Sequence, residues 1–368
     1  MTDNEYMQMA LNLAKEGCGF VNPNPMVGAV IVKDGNVIGQ GYHEMYGELH
    51  AERNALANCI VSPKGATIFV TLEPCCHYGK TPPCTEAIIE SGISRVIIGS
   101  SDPNPLVSGK GSLILRQHGI EVVENVLKDE CDKLNEVFFH YISSKIPYVI
   151  MKYAMTLDGK IATYTGESKW ITGEQARKHV HHERHRCSAI MVGVGTVLAD
   201  DPLLTCRIEN GRNPIRIVCD TNLCITVSSQ IVTTAKEVRT IIATSCSDIH
   251  KLQPFLHAGC EVITVSKADG HINLNELMIR LGEMNIDSIL LEGGGTLNWS
   301  ALQSGIVNKV QCYIAPKLFG GKYAKSPIGG IGVDTPDNAF LLKNSKVMHI
   351  GEDMMIESEV SRKCSQGL

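Results

Sequence analysis

The sequence of 368 residues lacks several features that mark particular protein classes. It has no basic and apolar leader with a cleavage site, and no uninterrupted apolar run long enough to span a bilayer. It also has no low-complexity tract and no repeat between its halves. These absences predict a cytoplasmic protein with no membrane partner. In that compartment the fourteen cysteines are expected to be reduced thiols or metal ligands rather than disulfides.

Positive charge and aromatic side chains are also scarce. The net charge is -5 and only 5% of residues are aromatic, which argues against an extended nucleic-acid partner. The densest basic stretch is RKHVHHERHR at 177–186. It fits either a solvated helix face or a local contact with a phosphate or another anion. Its order of His and Glu does not match the zincin pattern.

Length and pattern together predict two domains, 1–145 and 146–368, because a single core rarely extends over so many residues. In the first, strands and helices alternate, starting with a hairpin that turns near Asp34. Residues 128–144 are expected to form one helix that ends before Pro147. The second domain restarts the alternation with strand YVIMKYAM and a helix from Thr172. The sequence beyond about residue 326 has no clear pattern.

Four residues of the first domain suggest a zinc-dependent hydrolase. His50 and Glu52 stand two apart at an expected helix start, while Cys75 ends a buried strand and Cys84 opens the next helix. One His and two Cys leave the fourth position of a tetrahedral zinc ion open for water, as in catalytic sites. Zinc lowers the pKa of that water, and Glu52, which is not a ligand, is left to move protons.

The spacing of the cysteines departs from the usual zinc-deaminase signature. That signature places two residues between them, whereas eight separate Cys75 from Cys84. The intervening CHYGKTPP is rich in turn residues and still leaves Cys84 at a helix start, where the helix dipole favours a thiolate. The alternative is a closed, structural zinc knuckle in which Cys76 or His77 is the fourth ligand.

PNPMVG at 23–28, HAE at 50–52 and LEPCCHYGKTPPC at 72–84 resemble the deaminase half of the bifunctional riboflavin biosynthesis deaminase and reductase family. The resemblance implies a cytidine-deaminase-like αβα sandwich with one Zn²⁺ per chain. It also implies that four polar residues face a diaminopyrimidinone carrying ribose 5-phosphate: Asn24, His43, His77 and Lys80. Taken alone, Asn24 is equally typical of a turn between prolines, and Lys80 of a solvated loop.

The stretch SILLEGGGTLNWSALQ predicts a strand, a loop of three glycines and a helix capped by Thr296. Such a helix start exposes N–H groups to a phosphate, but the spacing is not that of a dinucleotide fingerprint, and an ordinary turn fits as well. MKYAMTLDGKIAT at 151–163, GESKWIT at 166–172 and GVGTVLADDPLLTCR at 193–207 resemble the reductase half of the same family. This half implies a dihydrofolate-reductase-like α/β domain that uses NADPH.

The resemblance assigns further residues to the reductase. Lys152 and Asp200 are the polar candidates near hydride transfer. The residues implied to face the phosphorylated substrate are Ser168, Arg184, Leu204, Arg207 and Glu292. Those implied to face NADPH are Ala154, Trp170, Thr196, Asp200, Thr221, Gly294, Gly295, Thr296, Leu297, Asn298, Trp299 and Ser300. From the residues alone, Lys152 could equally be an outward strand residue, Asp200 a turn former and Trp170 part of the core.

The expected function is therefore hydrolytic deamination of a small pyrimidine ribosyl phosphate, followed by reduction of its ribose to a ribityl chain. Two other classes stay open: a nucleic-acid editing deaminase with an accessory binding domain, and a noncatalytic scaffold stabilised by zinc. The sequence does not determine whether the chain forms a homo-oligomer, whether the intermediate is channelled, or the stereochemistry of hydride transfer.

Overall fold

The computed structural model describes residues 1–79, 82–104 and 107–361. The chain divides into an N-terminal unit, Met1–Lys145, and a C-terminal unit, Ile146–Leu368. Within the described ranges, none of the helices combines the length and the apolar character that crossing a membrane requires.

The N-terminal unit contains six helices and five strands among its described residues. In chain order they are α1 Asp3–Glu16, β1 Gly28–Lys33, β2 Asn36–Tyr42, α2 Ala51–Ala57, β3 Thr67–Leu72, α3 Cys84–Glu90, β4 Arg95–Ser100, α4 Lys110–Gln117, β5 Glu121–Val123, α5 Lys128–Leu134 and α6 Glu136–Ser144. The hairpin between β1 and β2 turns at Asp34 and Gly35, which both have positive φ, as the sequence predicts.

The five strands form one sheet in the order β2-β1-β3-β4-β5. Strand β1 is antiparallel to both neighbours, and β3, β4 and β5 are parallel. Ile68 and Val70 pack beneath α2, α3 and α4, whereas Phe69 points to the other face and packs against α1 and α5. Helices therefore cover both faces, which confirms the predicted αβα sandwich.

Two glycines of β2 allow α2 to lie directly against the sheet. A Cβ atom on Gly39 would lie 2.4 Å from the carbonyl oxygen of Ala55, and one on Gly41 would lie 2.5 Å from the Ala55 amide nitrogen. No larger side chain fits at either position unless the helix moves. This close packing fixes the position of His50 and Glu52, which stand at the start of α2.

The prediction of one helix over 128–144 is wrong. The segment forms α5 and α6, with a break at Asn135. The buried Asn135 side chain accepts a hydrogen bond from the Met26 amide at 2.9 Å and donates one to the Met26 carbonyl, also at 2.9 Å. These two tertiary bonds hold Asn135 at φ -108° and ψ 21°, outside helical geometry.

The C-terminal unit is built on a larger sheet. Its elements are β6 Tyr148–Thr156, α7 Glu174–Arg186, β7 Ala189–Gly193, α8 Val194–Asp200, β8 Ile215–Cys219, α9 Gln230–Thr233, β9 Thr240–Thr244, α10 Ile249–Ala258, β10 Glu261–Thr264, β11 Lys267–Ala268, β12 His271–Ile272, α11 Leu274–Glu283, β13 Ser288–Leu291, α12 Gly295–Gln303, β14 Val307–Ala315, β15 Leu342–Ile350 and β16 Asp353–Val360. Nine strands pair in the order β10-β9-β8-β7-β13-β6-β14-β16-β15, parallel from β10 to β14 and antiparallel beyond.

Helices cover both faces of this sheet as well. Residues of α11 and α12 pack on one face, over Met151 and Met191, while α8, α9 and α10 pack over Ile190 and Val218 on the other. Helix α7 packs against Tyr313 of β14 and Met355 of β16, which are antiparallel to each other. The unit is therefore a mixed α/β fold, and the carboxyl ends of β6, β7 and β13 share one edge, where such folds bind ligands.

Two features of this unit differ from the sequence predictions. Thr296 does not cap α12, because Gly294 occupies the N-cap position and the helix begins at Gly295. The Gly329 amide donates to the Gly295 carbonyl at 3.0 Å, so this helix start is fixed by a distant backbone contact. The unpatterned sequence beyond residue 326 also contains β15 and β16, which complete the sheet.

Candidate active sites

The three side chains predicted to bind zinc lie together in the N-terminal unit. His50 precedes α2, Cys75 follows β3, and Cys84 is the first residue of α3. Nδ1 of His50 is 3.5 Å from Sγ of each cysteine, and all three ligand atoms lie within 4.8 Å of one another. Zinc bond lengths of about 2.3 Å to sulfur and about 2.0 Å to nitrogen give an S···N distance of roughly 3.5 Å in a tetrahedron. The donor set and its spacing therefore fit zinc.

Cys76 and His77, the alternative fourth ligands, are not part of this group. Within the described part of the chain, the set that could hold a metal consists of His50, Cys75 and Cys84. Three protein ligands are the composition of a catalytic zinc site rather than a structural one.

The two ligand cysteines differ in how readily they ionise. The Cys84 thiol, His50 and the Cys84 amide all form hydrogen bonds with the Cys75 sulfur. These bonds lower the pKa of Cys75 to about 4 despite its burial. The hydrogen bond between the two thiols raises the pKa of Cys84, and burial raises it further. Of the two thiols, Cys75 therefore gives up its proton more readily than Cys84.

Glu52 stands beside this group without belonging to it. Its side chain is buried, with 3% exposed, and lies within hydrogen-bonding reach of the Cys84 thiol. Burial raises the pKa of the Glu52 carboxyl, and the negative charge of Cys75 raises it further. A raised pKa moves this carboxyl toward the range in which a general acid and base works.

Two of the residues implied to bind substrate adjoin the metal ligands. Nδ2 of Asn24 is 3.2 Å from Nε2 of His43, whose Nδ1 is 3.0 Å from the Leu49 carbonyl oxygen. Nδ1 of His43 therefore donates to that carbonyl, and Nε2 accepts from the Asn24 amide. The His43 ring meets the His50 ring edge-on, with 5.3 Å between centroids. Burial lowers the pKa of His43, so its ring is neutral at neutral pH.

The other two implied residues belong to the insert between the cysteines. His77 is half-buried, and its Nδ1 is buried with no hydrogen-bond partner among the described residues. Lys80 lies outside the described residues. His77 is therefore a polar group that a substrate could satisfy.

Arg53 is a contributor that the sequence analysis missed. Its Nε donates to the Pro82 carbonyl at 3.2 Å, and its Nη2 donates to the Pro83 carbonyl at 2.9 Å. These two prolines immediately precede Cys84, so Arg53 ties α2 to the loop that presents this ligand. No sequence motif reveals the link, because the acceptors are backbone carbonyls 29 and 30 residues away.

In the C-terminal unit, Lys152, Arg184 and Glu292 form a buried cluster of charges. Arg184 binds the Glu292 carboxylate with two nitrogens, at 2.7 and 3.0 Å, and the Lys152 ammonium is 3.5 Å from the same carboxylate. Each side chain is only 13 or 14% exposed. Burial alone would raise the pKa of Glu292, but Arg184 and Lys152 outweigh it and hold that pKa at about 2.

The start of α12 lies close to the start of α8. A Cβ atom on Gly294 would meet only the Thr196 hydroxyl, at 3.9 Å, and one on Gly195 would meet nothing within 4 Å. The backbone at both positions is therefore open to a ligand. A helix start with accessible N–H groups is suited to a phosphate, which fits one part of NADPH.

The remaining residues implied to bind ligands occupy varied environments. Trp170 is exposed and stacks on the Arg177 guanidinium at 4.7 Å, while Asn298 donates to the Pro327 carbonyl and Trp299 packs on Phe340. The hydroxyl of Thr221 accepts from the Ile272 amide. Leu204 is buried in the core, and the exposed positions are Asp200, Thr296 and Arg207. Half-buried positions are Ala154, Ser168, Leu297 and Ser300.

Two family models match the chain. Residues 1–100 match the cytidine and deoxycytidylate deaminase zinc-binding region, and residues 147–356 match the RibD C-terminal domain. The chain is 58% identical over 357 residues to the riboflavin biosynthesis protein RibD of Actinobacillus pleuropneumoniae, which covers 97% of this chain and 95% of that protein. It is 39% identical to RibD of Escherichia coli K12, covering 97% and 99%.

Solved structures of similar proteins agree over almost the full length. RibD of Acinetobacter baumannii, in its form 1, gives a TM-score of 0.88 at 35% identity, and covers 98% of this chain and 99% of that one. A Thermotoga maritima protein, described as a diaminohydroxyphosphoribosylaminopyrimidine deaminase and 5-amino-6-(5-phosphoribosylamino)uracil reductase, gives 0.84 at 39% identity with the same coverage.

Proposed function

This chain belongs to the RibD family of riboflavin biosynthesis proteins, and on that premise we propose that its N-terminal unit is the deaminase domain and its C-terminal unit the reductase domain. It is a bifunctional enzyme with zinc-dependent deaminase and NADPH-dependent reductase activities. The deaminase removes an amino group from a diaminopyrimidinone that carries ribose 5-phosphate. The reductase then converts the ribosyl group of that product to a ribityl chain.

One observation supports the deaminase proposal above all others: a buried carboxyl group beside a three-ligand zinc set. His50, Cys75 and Cys84 would hold the zinc ion, which would supply a Lewis acid that activates water at neutral pH. Glu52 accepts the proton that the attacking water loses and delivers it to the amino group that leaves as ammonia. His43 holds the Asn24 side chain, whose remaining polar atoms face the pyrimidine ring.

The reductase chemistry is assigned to the cluster of Lys152, Arg184 and Glu292. The start of α12 would hold a phosphate of NADPH, which would supply the hydride. Glu292 stays ionised throughout the neutral pH range, because its pKa is held near 2, and it fixes the Lys152 ammonium in position. Lys152 donates a proton to the sugar oxygen that is released when the ribose ring opens at its anomeric carbon. Asp200 is a further candidate near this site.

Product analysis tests the proposed function. The zinc-loaded protein is incubated with the diaminopyrimidinone ribosyl phosphate, with and without NADPH, and the products are identified by mass spectrometry. We expect ammonia and the deaminated ribosyl compound without NADPH, and the ribityl compound with it. A single-stranded oligonucleotide containing cytosine and adenine is the control substrate and should stay unchanged.

Two results would refute this proposal. Release of ammonia from the oligonucleotide, but not from the pyrimidine, would indicate a nucleic-acid editing enzyme. A zinc-loaded protein that is inert toward both substrates would indicate a structural zinc site.

A further inference from the structure

The basic stretch 177–186 lies on α7, and the structure separates its faces. Val180 and Glu183 are buried, whereas His182 is exposed. His181 and Arg184 are three residues apart and so share one side of the helix. That side contacts the loop 204–207, because Arg184 Nη1 donates to the Thr205 carbonyl at 3.1 Å and the Cys206 thiol donates to the His181 carbonyl at 3.3 Å.

Neither ring nitrogen of His181 bonds to a described residue. Nδ1 is buried and has no hydrogen-bond partner among the described residues. Nε2 makes no such bond either, but it is accessible to solvent. A buried N–H without an acceptor is rare, because it forfeits its bonds to water. The proton of the neutral ring therefore belongs on Nε2, the nitrogen that stays accessible.

Three of the four charges that act on this ring belong to the cluster of Lys152, Arg184 and Glu292, and the fourth is Arg207. They come from Arg184 on the same helix, Arg207 on the loop, Glu292 after β13 and Lys152 on β6. Burial, followed by the positive charges of Arg184 and Arg207, lowers the pKa of His181 to about 4. The ring is therefore neutral from about pH 5.5 upward and adds a hydrogen-bond donor without adding charge.

The charges around His181 have a positive sum, which favours the binding of an anion. Three cations act on His181 against one carboxylate, and a phosphate monoester carries a charge of about -1.5 to -2 at neutral pH. Arg184 already uses its nitrogens on Glu292 and the Thr205 carbonyl. Arg207 is exposed and has no hydrogen bond or ion pair with any described residue. The donors still available near the cluster include Arg207 and Nε2 of His181.

We propose that His181 donates a hydrogen bond from Nε2 to the phosphate of the reductase substrate, alongside Arg207. This inference extends the proposed function, since it adds a substrate-binding residue to the reductase site. Of the two interpretations of the basic stretch, it favours the anion contact for the side of α7 that carries His181 and Arg184, while the exposed His182 is solvated. The site would thus prefer phosphorylated substrates over the corresponding ribosides.

Three variants test this assignment. His181→Leu removes the donor at similar volume, His181→Gln keeps a neutral donor, and His182→Leu changes the exposed neighbour as a matched control. For His181→Leu we expect the KM for the deaminated phosphorylated substrate to rise about ten- to hundredfold, the range for a hydrogen bond to a charged group. Its kcat and its KM for NADPH should stay unchanged. His181→Gln should recover most of the affinity, and His182→Leu should match the wild type.

Two further measurements separate phosphate binding from a structural role. The riboside without phosphate should be reduced equally well by His181→Leu and the wild type. Between pH 5.5 and 8, the pH profile of the KM should have the same shape for the wild type and for His181→Gln. An equal loss on the riboside, or an inflection in this range that only the wild type shows, would overturn the assignment.

Calorimetric titration with ribose 5-phosphate provides a readout that does not depend on catalysis. We expect the wild type and His181→Gln to bind it and His181→Leu to bind it at least about tenfold more weakly, with ribose itself showing no difference. Equal binding of ribose 5-phosphate by all variants would refute the role of His181. This result stands whether or not the wild type reduces the proposed substrate, so the two proposals fail separately.

Discussion

Glu52→Gln should lower the rate of deamination by at least about 100-fold, the loss typical of removing a general acid or base. The exchange preserves the volume of a side chain that is only 3% exposed, and it leaves His50, Cys75 and Cys84 intact. Glutamine cannot accept the proton of the attacking water. Zinc content, measured by mass spectrometry of the purified protein, should therefore stay at the wild-type level while ammonia release falls.

Glu48→Gln is the matched control for this variant. Glu48 is an exposed carboxylate four residues earlier in the chain, and it is not among the metal ligands. Its removal should leave deamination unchanged. A Glu52→Gln protein that releases ammonia at the wild-type rate would show that another group moves the protons.

The second large effect concerns two adjacent cysteines. Cys75→Ser should lose zinc and, with it, deamination, because serine does not supply the thiolate that completes the group with His50 and Cys84. Cys76→Ser should keep both, since Cys76 is outside this group. The two variants differ by one position and make the same chemical change, so each controls for the other. Zinc content and ammonia release are measured on both.

The opposite pattern would reverse the assignment. If Cys76→Ser lost zinc while Cys75→Ser retained it, the metal would be bound by a different set of residues. Loss of zinc from both variants would support the closed knuckle, in which Cys76 is the fourth ligand.

Much of the zinc site could be predicted because its chemistry is encoded locally. A histidine at a helix start, a cysteine after a buried strand and a cysteine opening a helix each have a recognisable pattern, and the structure brings His50, Cys75 and Cys84 within bonding range of one ion.

Features that depend on distant backbone contacts could not be predicted. The break at Asn135 results from bonds to Met26, and the start of α12 is fixed by Gly329, more than thirty residues later. Arg53 binds carbonyl groups, which every residue possesses, so its sequence environment carries no signal. The role of His181 likewise depends on charges from four separate segments.

The central claim is that the two activities reside in separate sites with separate cofactors. The most direct measurement is NADPH oxidation by the chelator-treated protein when it is given substrate that has already been deaminated. We predict that chelation abolishes ammonia release from the diaminopyrimidinone but leaves NADPH oxidation at the untreated rate, because no zinc ligand belongs to the Lys152, Arg184 and Glu292 cluster. Loss of NADPH oxidation after chelation, with the circular dichroism spectrum unchanged, would contradict the account and indicate one composite site.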